Sequence, residues 1–274
     1  FDKWESIKMF FEKNKNNKFY SNFISLNDLN YIPKDSEDFI IDSQKDRWNH
    51  SIFLRLFHFL NIQNLTLIEK KITGNKLEKE YYTRSSLPLM IRALKLIDNM
   101  ISKFAFIFNK IILDSFYFPK KEYLKICLRC KLIPSKYSNF FNFDVKEKSL
   151  SKDNKRIEFK NLISKVDNQD KFIQFLLLNL YKDIPKSYLE NFDRIKNFFL
   201  PFAQKKKIIF SMTSLYRNDN FKIYLAETKK VGSKYIHATH GGGLTFEKDH
   251  NSELLERVSD KIIRWDSDSK VHKN

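Results

Sequence analysis

Apolar residues between Trp4 and Lys18 recur at helical spacing, with Ile7, Phe10 and Phe11 set among charges, so this segment reads as an amphipathic helix with a structural role. The same period runs from about Asp46 to Asn61 through Trp48, Ile52, Phe53, Leu56, Phe57 and Leu60. It returns from about Ser85 to Phe108, with Pro88 in the first turn of that helix. The period then changes: Lys110-Ile-Ile-Leu-Asp-Ser115 is a short β-branched run closing on polar residues, which predicts a strand, a loop and, from Pro119, another helix. Val145 to Lys160 crowds Lys, Glu, Ser and Asp with almost no apolar period and is expected to be an exposed loop or boundary. Helices resume at about Asp170 to Tyr181 and at Ser187 to Phe199.

The C-terminal part has the clearest pattern. Lys207-Ile-Ile-Phe-Ser-Met212 reads as a buried strand and Asn220 to Lys230 as a helix stopped near Gly232. Lys234-Tyr-Ile-His-Ala-Thr239 is a second strand, entering Gly241-Gly-Gly243. Helical Glu253 to Arg257 leads to a third, Lys261-Ile-Ile-Arg-Trp265. Strands alternating with helices at this spacing imply right-handed crossovers and a parallel sheet. The expected fold is α/β, a helix-rich Rossmann-like domain with a mainly parallel sheet in which the strands near Ile112, Ile209, Ile236 and Ile262 sit together. Residues 1–108 form its helical N-terminal part and 109–274 its Rossmann-like part, in one continuous domain.

Composition narrows the class. With 5 Gly and 6 Pro in 274 residues, collagen-like and low-complexity chains are excluded, and 42% hydrophobic residues suffice for a real core. The most apolar runs, Phe104 to Phe108 and Phe172 to Tyr181, are too short to span a bilayer, and with only two cysteines, read as reduced thiols, a cytoplasmic protein is expected. A net charge of +17 favours phosphates or anionic membrane surfaces as partners. Only 10 of the 50 cations are Arg, whereas nucleic-acid readers rely on Arg forks, so nucleic acid is not the expected partner. The chain begins at Phe1, and both of its ends read as cut from a longer protein.

The two cysteines, Cys127 and Cys130, lie three apart in a helical segment, and chelation would need two further ligands, so reduced thiols and no metal are expected. The glycine triplet is more informative. In open parallel sheets ligands bind beyond the carboxyl ends of the strands, and Gly241, Gly242 and Gly243 would let the backbone approach a phosphate or sugar. His240 stands at that mouth, suited to general acid or base work or to a hydrogen bond with a phosphate. The triplet matches neither the dinucleotide fingerprint nor the Walker A spacing, so a plain flexible turn is the competing reading.

Glu247 and Asp249 are the preferred carboxylates beside His240, ahead of Glu253 and Glu256. Thr213, Ser214, Arg217 and Asp219, at the carboxyl end of the preceding strand, would pool with them, although turn formation alone could account for Arg217 to Asn220. His237, within the strand, is expected to pack or space the sheet.

The runs Lys207 to Ser214, Asp219 to Glu227, His240-Gly-Gly-Gly243, Glu247 to His250 and Val258 to Trp265 together resemble a bacterial family of transferases for surface carbohydrates. Ile112 to Ser115, Leu132 to Pro134 and Ile184 to Glu190 extend the likeness over most of the chain. That family is a distant relative of capsular Kdo transferases and of teichoic acid glycerophosphotransferases, and the resemblance implies the N-terminal half of a two-domain GT-B-like architecture. It also implies a glycosyltransferase acting on a nucleotide sugar and a glycan or lipid-linked acceptor, with His240 as base and possible contact with the inner face of the membrane. Thr239 stands where relatives carry Gln, and Arg264-Trp265-Asp266 where they carry a Trp-Gly-Trp-like end. Relatives continue into a donor-binding domain, whereas this chain stops at Asn274, so the nucleotide-binding half is expected outside it. The alternative is a non-catalytic module that binds glycan or anionic membrane.

Overall fold

The computed structural model describes residues 2–24, 31–70, 89–135, 137–141, 154–204, 206–239 and 250–264. In chain order the elements begin with α1 (Asp2–Lys13), β1 (Phe19–Phe23), α2 (Ser36–Ser43), α3 (Asp46–Leu60) and β2 (Leu65–Glu69). Next come α4 (Leu89–Phe108), β3 (Ile111–Asp114), α5 (Lys120–Cys130), α6 (Ser138–Phe141), α7 (Lys155–Ile163), α8 (Lys171–Asp183) and α9 (Phe192–Phe199). The chain closes with β4 (Ile208–Ser211), α10 (Ser214–Arg217), α11 (Asp219–Lys230), β5 (Lys234–Ala238), α12 (His250–Val258) and β6 (Lys261–Ile263). No helix among the described residues is long and apolar enough to cross a membrane.

The chain divides into two compact units, the first comprising Phe1–Thr83 with Lys148–Phe192 and the second Arg84–Glu147 with Asp193–Asn274. The first unit packs α1, α3 and α8 around Trp4, Ile7, Leu56 and Phe175. Trp4 meets Phe172 edge-on at 5.6 Å, an arrangement that the ring quadrupoles favour. A parallel pair, β1 against β2, joins Phe19 to Leu65 and Phe23 to Glu69. These strands were not expected: they are short, and each finds its partner only far along the chain.

The segment expected to be a loop between Val145 and Lys160 also differs, because residues from Lys155 on form α7. Its outer residues Ile157 and Leu162 are exposed, so no apolar stripe marks it in the sequence. What holds it is buried Arg156, whose Nη2 donates to Glu190 Oε2 at 2.8 Å and to Ile184 O at 2.9 Å, with a further bond to Tyr181 O. The guanidinium neutralises the carboxylate and satisfies carbonyls at the C-terminal end of α8.

The second unit is the expected α/β fold. Its four strands run in the order β3-β4-β5-β6, and every neighbouring pair is parallel. Ile112, Ile209 and Tyr235 face a core of Phe106, Phe140, Phe141, Phe199, Phe221 and Tyr224. Leu113, Phe210, Met212 and Ala238 face the opposite way, onto Tyr123, Ile126 and Leu132. Alternate residues therefore bury opposite faces, as parallel strands covered on both sides require. Each fully buried Phe contributes about 2–3 kcal/mol.

Helix termini carry their own signals. Asn218 caps α11 by accepting from Phe221 N at 2.9 Å, and Gly232, at φ 88°, lets the chain leave α11 and turn into β5. At the end of α4, buried Lys206 donates from Nζ to the carbonyls of Phe106 at 2.6 Å, Asn109 at 3.1 Å and Ile107 at 3.3 Å. Burial lowers its pKa, but the ammonium meets the negative end of the helix, where a cation belongs.

Candidate functional site

Because all four strands are parallel, their carboxyl ends lie along one edge of the sheet, where ligands bind in folds of this kind. The register aligns Asp114 with Ser211 and Ser211 with His237 across β3, β4 and β5. Each lies two residues beyond an apolar core residue (Ile112, Ile209 and Tyr235), hence on the same face of the sheet. The face thus changes from apolar to polar at the carboxyl ends of the strands. All three polar residues are buried.

Two hydrogen-bonded groups occupy this row. At β3 and the start of α10, Ser214 Oγ donates to Asp114 Oδ2 and also meets Ser115 Oγ. Burial raises the pKa of Asp114, against the lowering effect of the Ser214 and Ser115 hydrogen bonds. Ser115 holds the left-handed conformation, φ 49°, unusual for a residue other than glycine, and its carbonyl accepts from Met212 N at 3.2 Å. At β4 and β5, the Tyr235 hydroxyl shares a 2.8 Å hydrogen bond with Ser211 Oγ and lies 3.1 Å from His237 Nδ1. His237 Nε2 is buried without a hydrogen-bond partner, and the Tyr216 ring lies edge-on to the imidazole at 5.7 Å. Burial pulls the His237 pKa down to about 4, so the ring is neutral at physiological pH.

The site residues expected from sequence divide into three groups. Ser214 joins the buried Asp114 cluster, and half-buried Thr213 adjoins it just before α10. Arg217 is exposed, while buried Asp219, at the start of α11, forms an ion pair with Lys222 Nζ at 2.9 Å on its own helix. His240, Gly241, Gly242, Gly243, Glu247 and Asp249 lie outside the described residues. The described chain leads up to them through Thr239, whose N–H donates to Ile263 O at 3.0 Å and prolongs the pairing of β5 with β6. Trp265 and Asp266 also lie outside, and Arg264 pairs with Glu256 at 2.8 Å.

Asp114 and Ser115 were not singled out as site residues from the sequence. The signal was present: a polar pair closes the Ile-Ile-Leu run of β3 just as Thr213 and Ser214 follow β4. His237 sits within the sheet as expected, although its unpartnered nitrogen has no counterpart in the sequence pattern. Cys127 is buried and Cys130 exposed on α5, both as free thiols. Among the described residues no group of three or more His, Cys, Asp or Glu is placed to hold a metal ion.

In chemical terms the edge offers a carboxyl group that burial makes a better proton acceptor than a solvated one, serine hydroxyls that fix its orientation, and a neutral imidazole. Such groups suit hydrogen bonding to hydroxyls and proton transfer at a carboxyl edge. No curated protein and no solved structure matches the chain. A family model described as LIC12162 family transferase matches residues 1–273. On that match, over almost its whole length, the chain belongs to the LIC12162 family of transferases.

Proposed function

We propose that this transferase moves a sugar from a nucleotide-activated donor to a hydroxyl of a surface polysaccharide or glycoconjugate, and that the chain supplies the acceptor side of the reaction. The observation that carries the reading is the Asp114–Ser115–Ser214 cluster at the carboxyl edge of a parallel sheet whose strand β5 continues in sequence to His240-Gly-Gly-Gly243. The family name supports group transfer, and the resemblance to surface-carbohydrate transferases supports the sugar.

In this reading the acceptor oxygen attacks the anomeric carbon, the bond to the nucleotide breaks with its electron pair leaving on phosphate, and His240 takes the hydroxyl proton. Glu247 or Asp249 orients the imidazole. Gly241, Gly242 and Gly243 admit the substrate to the backbone amides, while Thr213, Ser214 and Arg217 contribute contacts to it. Asp219, paired with Lys222 at the start of α11, completes the substrate-binding set. No cofactor or metal is required beyond the donor itself, and a lipid-linked acceptor would bring the protein to the inner face of the membrane.

The test is transfer by the gene product carrying this sequence, with a panel of nucleotide sugars and lipid-linked glycan acceptors, followed by mass spectrometry. His240→Ala is expected to lower turnover by about a hundredfold or more with an unchanged melting temperature. Wild-type turnover in that variant removes the base assignment, and failure of every donor to react removes the sugar-transfer reading.

A further inference from the structure

Helix α5 turns Cys127 inward, with Ile126 and the preceding Tyr123 packed against the sheet, yet two of its leucines face solvent. Leu128 is 80% exposed and Leu124 49%, and at a spacing of four they stand one above the other on the outer face. Tyr117, 62% exposed, lies in the loop that leads from the polar edge at Asp114 and Ser115 into this helix. Lys120, Lys121, Lys125, Arg129 and Lys131, all exposed, surround the leucines, and the single acid of the helix, Glu122, is already paired with Lys125 at 2.7 Å. A helix carrying apolar tips within a nearly unopposed ring of cations has the character of an interfacial helix on an anionic lipid surface. Protein partners with apolar grooves would not call for this cation ring, and nucleic acid would gain nothing from the leucines.

We infer that the outer face of α5, with the Tyr117 loop, docks on the anionic headgroups of a phospholipid bilayer, Leu124 and Leu128 entering the interface and Lys120, Lys121, Arg129 and Lys131 engaging lipid phosphates. The loop joins this face to β3, so docking sets the carboxyl edge bearing Asp114 beside the surface from which a lipid-linked acceptor would come. The inference rests on the membrane side of the proposed function and is independent of its chemistry.

Cosedimentation of the full chain with phosphatidylglycerol–phosphatidylcholine vesicles, compared with pure phosphatidylcholine vesicles, tests it without donor or acceptor. Strong binding to the anionic vesicles alone is expected, weakening as salt rises. Leu124→Ser with Leu128→Ser, and separately Lys121→Glu with Arg129→Glu, should each reduce it at least about tenfold while leaving the melting temperature unchanged. Lys13→Glu with Lys15→Glu, a charge change of the same size elsewhere, should reduce it far less. Equal losses in the two charge variants would overturn the inference in favour of net charge, as would undiminished binding by the leucine variant. It would equally be overturned if the leucine variant converted a dimer to a monomer in light scattering, since a second copy would then cover this face. Absence of sugar transfer with vesicle binding intact would remove the chemistry and leave the docking.

Discussion

His237 sits where a positive charge has no solvent and, among the described residues, no paired acid to meet it, and this fixes the sign of its effect on stability. Burial holds its folded pKa at about 4, below the usual 6.5, so between these values the unfolded chain binds the extra proton. The stabilisation is complete above about pH 6.5 and is lost as the pH falls toward about 4, a change of roughly 3 kcal/mol for this group. Urea unfolding of His237→Gln should therefore be less acid-sensitive than wild type by about that amount, and parallel pH profiles would refute the assignment. Asp114 acts in the opposite direction: its raised pKa penalises the ionised form, so Asp114→Asn should hold or raise stability at neutral and higher pH. The same variant should lose transfer, which separates a functional carboxyl from a merely buried one; full turnover would show that the charge is dispensable. Ser214 could be picked as a candidate because it follows a strand in a polar run, whereas Asp114 became one only once β3 was seen beside β4. The pattern placed both strands in one sheet but did not say that they are neighbours.

Periodicity identified the elements that bury an apolar stripe and missed those held by polar groups. α3, α4 and the strands of the large sheet announced themselves through Leu, Ile and Phe spacing, and β3 to β6 assembled in one parallel sheet as their pattern implied. α7 was invisible because its anchor is one buried arginine, and β1 and β2 because Ser21, Asn22 and Thr66 dilute two short runs. Lys206 shows how much such polar anchors can matter to an element. Three carbonyls at the end of α4 accept from its ammonium, and truncation would leave them without that donor. Lys206→Met should destabilise the protein by about 2–3 kcal/mol in urea unfolding. An unchanged midpoint would mean that water replaces the ammonium without cost.

At the scale of the whole molecule, neither unit is a continuous stretch of sequence. Residues 193–274 contain β4, β5 and β6 in order, yet the core facing Ile209 and Tyr235 also requires Phe106, Ile112, Tyr137, Phe140 and Phe141 from before that cut. Expressed alone, 193–274 should show no cooperative thermal transition and should aggregate through the open edge of β4; a sharp, monomeric melt would refute this dependence. The pairing of β3 with β4 has a further consequence for synthesis. Ile111 emerges from the ribosome about a hundred residues ahead of its partner Ile208, a wait of roughly 5–20 s at ordinary rates of translation. During that interval the segment Lys148–Phe192 is made and can complete the first unit, while Ile112 and Leu113 of β3 still lack the neighbouring strand. A nascent chain interrupted before residue 208 would therefore carry one finished unit and one unpaired apolar strand, the kind of species that chaperones hold and proteases remove.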